Sequence, residues 1–292
     1  MLALTTPVGP LYGTLLVPEG VPTPCPVALI IAGSGPTDRN GNTGPSVTNN
    51  SLLFLAEGLA RHGIASLRYD RRGVGESRTT APSEEKLRFT DLVDDAAGWI
   101  ALLRKDKRFS RVIVIGHSEG SLAGMMAAAR PPAADAFVSI AGAGRPLADV
   151  LRGQLNEGNL GELLPEALVE LDTLAAGHHV AHVEPLLMPL FRPSVQDYLL
   201  SVFAIDPAKE IARLTVPILI VSGTSDVQVP VTEGDILARA AQQAQRLIVT
   251  DMNHVLKSVP AGDPEKQLPA YTDPTMPVVP ALIDGVSQFI SS

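Results

Sequence analysis

Apolar residues recur along the chain in two alternating rhythms. Val27 to Ala32 is a continuous apolar run, the pattern of a strand buried on both faces of a sheet. Ile64 to Tyr69, Arg111 to Ile115, Ala136 to Ala141, Val216 to Val221 and Arg246 to Thr250 read as further strands. Gly13 to Val17 reads as a first strand, closed by Pro18-Glu19-Gly20. Between the strands, apolar residues fall at helical spacing. These stretches are Ser51 to Arg61, closed by His62-Gly63; Phe89 to Leu103, with Thr90 and Asp91 near its start; Ser118 to Ala129, ended by Pro131-Pro132; Ile236 to Ala244; and Pro280 to Ile290. Repeated strand–helix units predict an α/β fold, a mostly parallel, doubly wound sheet covered by helices on both faces.

The rhythm breaks once. From about Arg145 to Leu214 the pattern is helical or loop-like, with no convincing strand. We read it as a helical cap inserted over the ends of the sheet. The expected organisation is a core of residues 1–144 and 215–292, with the cap at 145–214.

Composition narrows the classes further. A chain of 292 residues, 45% hydrophobic, can bury one large core. Its net charge of −8 argues against nucleic acid or an anionic membrane as the main partner. No apolar run approaches the ~18–20 residues of a membrane span. Met1 to Pro10 lacks the pattern of a signal peptide, so a cytoplasmic protein is expected. Cys25 is the only cysteine, so no intramolecular disulfide can form. Placed between two prolines before a strand, it reads as a packing residue.

The candidate chemistry begins at Gly116-His117-Ser118-Glu119-Gly120. The run Val112 to Ile115 precedes it and a small-residue helix follows, so a sharp turn lifts the Ser118 hydroxyl above the sheet edge. A serine needs a histidine to take its proton, and the histidine needs an acid to fix its tautomer. His254 follows the last strand, on the edge where a base must hang. His117 reads as packing and His62 as a helix end. His178, His179 and His182 form no metal-binding pattern with an acid between them, and no metal or cofactor is expected. Asp226, one strand–helix unit before His254, is favoured as the acid over Asp251, which lies too close to His254 in sequence.

Acyl transfer also needs main-chain donors for the developing oxyanion. The amide of Glu119 is one expectation. The second comes from the loop Gly33-Ser34-Gly35-Pro36-Thr37-Asp38-Arg39-Asn40-Gly41, with Ser34 the choice and Gly33 or Gly35 able to replace it. Asp38 and Arg39 are expected to brace that loop. The Glu119 side chain is open to pairing with Arg39, Arg71 or Arg72, or to meeting a cationic substrate. Gly33, Gly35, Leu187, Phe191 and Tyr198 are candidate substrate contacts, the last three from the cap.

Together these motifs resemble the α/β-hydrolase superfamily. More narrowly they look like a bacterial esterase branch in which Ser34-Gly35-Pro36-Thr37-Asp38-Arg39-Asn40 replaces a histidine–glycine loop. The stretch Leu67 to Ser77, Gly116 to Gly120, Asp226 and Asn253-His254 also fit. The resemblance implies hydrolysis of small carboxylic esters through an acyl-serine intermediate, without metal or cofactor. The rival readings are a peptidase or amidase on the same triad and a non-catalytic binding protein of the same fold.

Overall fold

The computed structural model describes every residue except 81–82, 159 and 261–262, and the side chain of residue 264. Its strands are β1 Leu2–Thr6, β2 Gly9–Leu16, β3 Cys25–Ile31, β4 Ala65–Tyr69, β5 Phe109–His117, β6 Ala136–Ile140, β7 Ile218–Gly223 and β8 Gln245–Val249. They form one sheet in the order β1-β2-β4-β3-β5-β6-β7-β8. The pairs β1–β2 and β2–β4 are antiparallel and every other pair is parallel. The helices are α1 Ser51–Arg61, α2 Phe89–Lys105, α3 Glu119–Ala128, α4 Leu147–Glu157, α5 Leu164–Ala175, α6 Met188–Phe191, α7 Pro193–Phe203, α8 Pro207–Ile211, α9 Val231–Ala240, α10 Gln267–Thr272 and α11 Pro280–Ser291.

Strand β3 shows why the sheet is covered twice. Val27, Leu29 and Ile31 join one core with Leu92, Val93, Ala96 and Trp99 of α2 and Leu122 of α3. Ala28 and Ile30, pointing the other way, join Leu52, Leu55 and Leu59 of α1 and Leu282, Val286 and Ile290 of α11. Each large side chain removed from water in this way contributes about 1.5–3 kcal/mol, which fixes both faces of the central strands.

Several elements differ from expectation: β2 begins at Gly9 and not Gly13, α10 has no counterpart among the predicted elements, and β1 and α9 show why. Strand β1 was not anticipated; its residues alternate between half-buried and exposed, a short edge-strand signal. Helix α9 begins at Val231, not Ile236. Its first turn holds Glu233, wholly buried, whose carboxylate accepts from the amides of Gly144, at 2.9 Å, and Arg145, at 3.1 Å. A turn buried through hydrogen bonds carries no apolar periodicity to read.

The chain order positions the site. After β3 the chain crosses to β4 on one side, and β5 then returns to the other. Between β3 and β5 lies the reversal point whose carboxyl-end crevice binds ligands in open α/β sheets. The loop after β3 and the turn after β5 both open there.

Between β6 and β7 lie α4 to α8, with no strand among the described residues. Leu155, Leu171, Phe191 and Val202 of this segment belong to the same core as α2 and α3. Helix α7 packs on α2, and α8 on α3 and α9. Among the described residues no helix is long and apolar enough to cross a membrane.

Candidate active site

Ser118 sits between β5 and α3 with φ 55° and ψ −124°, in a region that side chains rarely occupy. The turn is held by its main chain: the Ser118 amide donates to Ile140 at 2.9 Å, and the Ser121 amide to Ser118 at 2.9 Å. Its tightness demands glycine on both sides. A Cβ at Gly116 would run into the backbone of Gly120 and Ser121, and one at Gly120 into the carbonyls of Ile31 and Ala32. The hydroxyl-bearing carbon is thereby presented at the N-terminus of α3, where main-chain amides are unpaired.

His254 and Asp226 meet as expected. Nδ1 of His254 lies 2.9 Å from Oδ2 of Asp226, and both side chains are buried. Oδ1 of Asp226 accepts from the amides of Gln228 and Val229, each at 2.9 Å. The carboxylate is thus fixed on one oxygen and offers the other to the ring. That requires the proton on Nδ1 and leaves Nε2 as the acceptor. Asp251, the alternative acid, makes no hydrogen bond to His254 among the described residues.

His117 was expected to pack, and it is buried. Its Nε2 also lies 2.8 Å from the carbonyl of His254, with the two rings 4.9 Å apart. Burial, together with the nearby His254, lowers its pKa to about 4, so His117 is neutral near pH 7. A neutral His117 donating from Nε2 holds the main chain of His254.

The loop after β3 comes very close to the nucleophile. A Cβ at Gly33 would stand 3.1 Å from the Ser118 Cβ. Asp38 braces the loop from within, accepting from the amides of Asn40 at 2.8 Å and Asn42 at 2.9 Å. Arg39 ties it to the sheet through Asp70 at 2.6 Å and Glu76 at 2.5 Å.

Of the three arginines open to Glu119, Arg71 is the partner, at 2.7 Å; Arg72 is taken by Asp95 and Asp91. Arg71 also donates to the Gly33 carbonyl, and its Nη2 lies 3.4 Å from the Tyr198 hydroxyl. Burial alone would lower the Arg71 pKa, but the charge and hydrogen bond of Glu119 outweigh it and hold the guanidinium charged. Burial and then Glu119 push the Tyr198 phenol well above its usual range. In a trans peptide the carbonyl and the next amide point in opposite directions. With the Gly33 carbonyl anchored on Arg71, the Ser34 N–H therefore points away from Arg71.

Two cavities meet at Ser118. One, of about 220 Å³, is lined by Gly33, Ser34, His117, Ser118, Gln228, His254 and polar residues of the loop and α10. The other, of about 100 Å³, is lined by Ser34, Ser118, Glu119, Arg145, Gln154, Gln228 and apolar side chains, those of α4 among them. Ser118, His254, Gly33, Ser34 and Glu119 are thus brought together.

Leu187 and Phe191 are not part of this group. Each is 1% exposed and lies in the core that the α4–α8 segment shares with the body. Tyr198 and Gly35 line a neighbouring cavity with Arg71, Arg72 and Arg192 that does not include Ser118. Helical periodicity marks buried positions without saying whether packing or a ligand covers them. Leu147, Val150 and Leu151, which do line the small cavity, carry the same signal in α4. Gln228, on a loop, and Tyr271, on the short helix α10, carry no apolar periodicity by which the sequence could mark them.

Comparison with known proteins bears on the family and the fold. By sequence the chain is similar to esterase EstD of Thermotoga maritima, 31% identical over 255 residues, covering 85% of this chain. It spans only 58% of that relative's length. By structure it is similar to Est1E of Butyrivibrio proteoclasticus bound to ferulic acid, at a TM-score of 0.64 and 18% identity over 100% of both chains. It is also similar to an enol-lactonase of Burkholderia xenovorans, at a TM-score of 0.59 and 19% identity over 100% of both chains. At such identity the structural likeness establishes the fold, that of the α/β-hydrolases. Residues 50–256 match the Hydrolase_4 family, described as serine aminopeptidase, S33, and that span takes in Ser118, Asp226 and His254. The chain belongs to this family of the α/β-hydrolase superfamily.

Proposed function

We propose that the protein is a serine carboxylesterase acting through Ser118, His254 and Asp226. The observation that carries this reading is the pairing of His254 with a doubly anchored Asp226, on a cavity that Ser118 shares. His254 takes the Ser118 proton at Nε2, and Oγ attacks the ester carbonyl. The amides of Ser34 and Glu119 receive the oxyanion. His254⁺ returns its proton to the departing alcohol, and water releases the acid by the same steps in reverse. The Gly33–Asn40 motif and the similarity to esterase EstD support the esterase branch. The 145–214 segment acts as a cap, since α4 covers the acyl side of Ser118.

The family description raises the peptidase alternative. An aminopeptidase needs an unpaired carboxylate to hold the substrate's free ammonium group. Glu119 is the one carboxylate lining either cavity among the described residues, and Arg71 engages it. Glu162, Glu166 and Glu184 line neither. A fluorophosphonate probe should label wild type and not Ser118→Ala, and p-nitrophenyl acetate or butyrate should turn over faster than aminoacyl-p-nitroanilides. Faster anilide turnover, or equal labelling of Ser118→Ala, would defeat the reading.

A further inference from the structure

The two cavities at Ser118 differ in chemistry, and the position of the base decides what each receives. The leaving oxygen must lie within reach of His254, because its proton comes from Nε2. His254 lines the larger cavity and is absent from the smaller. The alcohol half of the ester therefore enters the larger cavity, and the acyl half the smaller one, beneath α4 and beside the Glu119 amide.

Resting on the esterase reading above, we propose that the substrates are short-chain acyl esters of a neutral, polyhydroxylated alcohol. The acyl cavity is walled by Leu122, Leu147, Val150, Leu151, Val202 and Val229. Its roughly 100 Å³ is far below the ~300–1,000 Å³ of pockets for drug-sized ligands, which restricts it to acyl groups from acetyl to about butyryl.

The alcohol cavity presents Thr37, Thr43, Asn49, Ser51, Gln228 and Tyr271, with Val47 and Val255 as its apolar wall. Asn49 uses its side-chain oxygen on the Ser51 amide at 2.9 Å, and its amino group has no partner among the described residues. The Tyr271 hydroxyl accepts from Nε2 of Gln228 at 2.5 Å and keeps its own proton to donate. Burial raises this phenol to about 12, with Asp226 adding to the rise and the Gln228 bond opposing it, so it remains a neutral donor. Donors and acceptors thus face a space lined by no aspartate, glutamate, lysine or arginine. Thr37 and Thr43 bond to each other at 2.9 Å and Thr37 also donates to the Ser34 carbonyl, but an apolar alcohol would leave the Asn49 amino group and the Tyr271 proton unpaired, whereas a sugar or glycerol hydroxyl satisfies them. Two ionised side chains line the acyl cavity, Glu119 and Arg145, and each is already engaged, by Arg71 at 2.7 Å and by Glu233 at 2.5 Å, which favours an uncharged acyl group.

Two variants separate the halves. Leu151→Trp fills the acyl cavity from α4, and Ala143→Leu does so from the β6 side should the first fail to fold. Each should lower kcat/KM for p-nitrophenyl butyrate against p-nitrophenyl acetate by at least about tenfold. Tyr271→Phe should lower kcat/KM for glycerol monoacetate against n-butyl acetate by about fivefold, the loss of one neutral hydrogen bond. Wild type should prefer glycerol monoacetate to n-butyl acetate and acetate or butyrate to octanoate. Equal loss on both alcohols in Tyr271→Phe, an unchanged acyl profile in both cavity-filling variants, or a wild-type preference for octanoate overturns the assignment. All these proteins should still take the fluorophosphonate label. Absence of label in wild type would instead defeat the esterase reading itself.

Discussion

Replacing Arg71 with methionine tests how the oxyanion donors are held. The guanidinium and the Glu119 carboxylate have side chains only 10% and 6% exposed. Removing one partner of a buried pair typically costs about 3–5 kcal/mol, because the other charge is left uncompensated. The Gly33 carbonyl loses its donor as well, a further cost of about 1–3 kcal/mol if it stays buried. Freed from Arg71, the Gly33–Ser34 peptide can rotate, and the Ser34 N–H leaves the line on which the oxyanion forms. Loss of one such donor costs about 10²–10³ in kcat with little change in KM, and rotation should approach that loss. In the double variant Arg71→Met/Glu119→Gln the stranded charge is gone, but Gly33 is still without its donor. Urea unfolding should therefore show most of the stability regained, while p-nitrophenyl butyrate turnover should stay as low as in the single variant. If kcat recovers along with stability, or if Arg71→Met unfolds more easily yet keeps its full kcat, anchoring through the Gly33 carbonyl is refuted.

Further predictions concern the triad and its support. Asp226→Asn should lower kcat by about 10⁴, because an amide that turns its nitrogen toward His254 imposes the wrong tautomer; kcat within tenfold of wild type would show that the ring needs no acid. His117 should make stability depend on pH. Its folded-state pKa of about 4 lies below the ordinary 6.5, so between these values the unfolded chain binds a proton that the folded one does not. Its contribution is complete above pH 6.5 and is lost as pH falls toward 4, reaching about 3 kcal/mol. His117→Gln, which keeps a donor for the His254 carbonyl but does not titrate, should flatten the fall in unfolding free energy between pH 7 and 4.5 by about 2–3 kcal/mol. Parallel curves for the two proteins would dismiss His117 as the source.

The parts of the molecule built on strong local rules were readable from the sequence. Val27 to Ala32 has few alternatives to a doubly covered strand, and Gly116 to Gly120 between strand and helix has few alternatives to a tight turn. Asp226 and His254 followed from their places at strand ends, since the sheet brings those ends to one edge. Other features depend on the folded surroundings. Glu233 is polar in sequence and fully buried in the structure, because the amides of Gly144 and Arg145 come to it from elsewhere in the chain. Arg71 could be named as one of three candidate partners for Glu119, but only the folded loop shows that it also holds Gly33. Leu187 and Leu151 are indistinguishable as leucines on amphipathic segments, and the packing of the 145–214 segment alone decides which one faces Ser118.

Gln228 touches almost everything in the site. Its amide holds Asp226, its side chain holds Tyr271, its carbonyl accepts from Gln154 of α4 at 3.0 Å, and it lines both cavities. In evolutionary terms the two ends of the substrate can be reshaped separately, by changes in α4 for one and in α10 for the other, each with a local effect. A change at position 228 is felt by both ends and by the acid at once, so its effects cannot be selected one at a time. A laboratory lineage pressed toward longer acyl groups should accumulate substitutions at Leu147, Val150 and Leu151 and leave Gln228 in place.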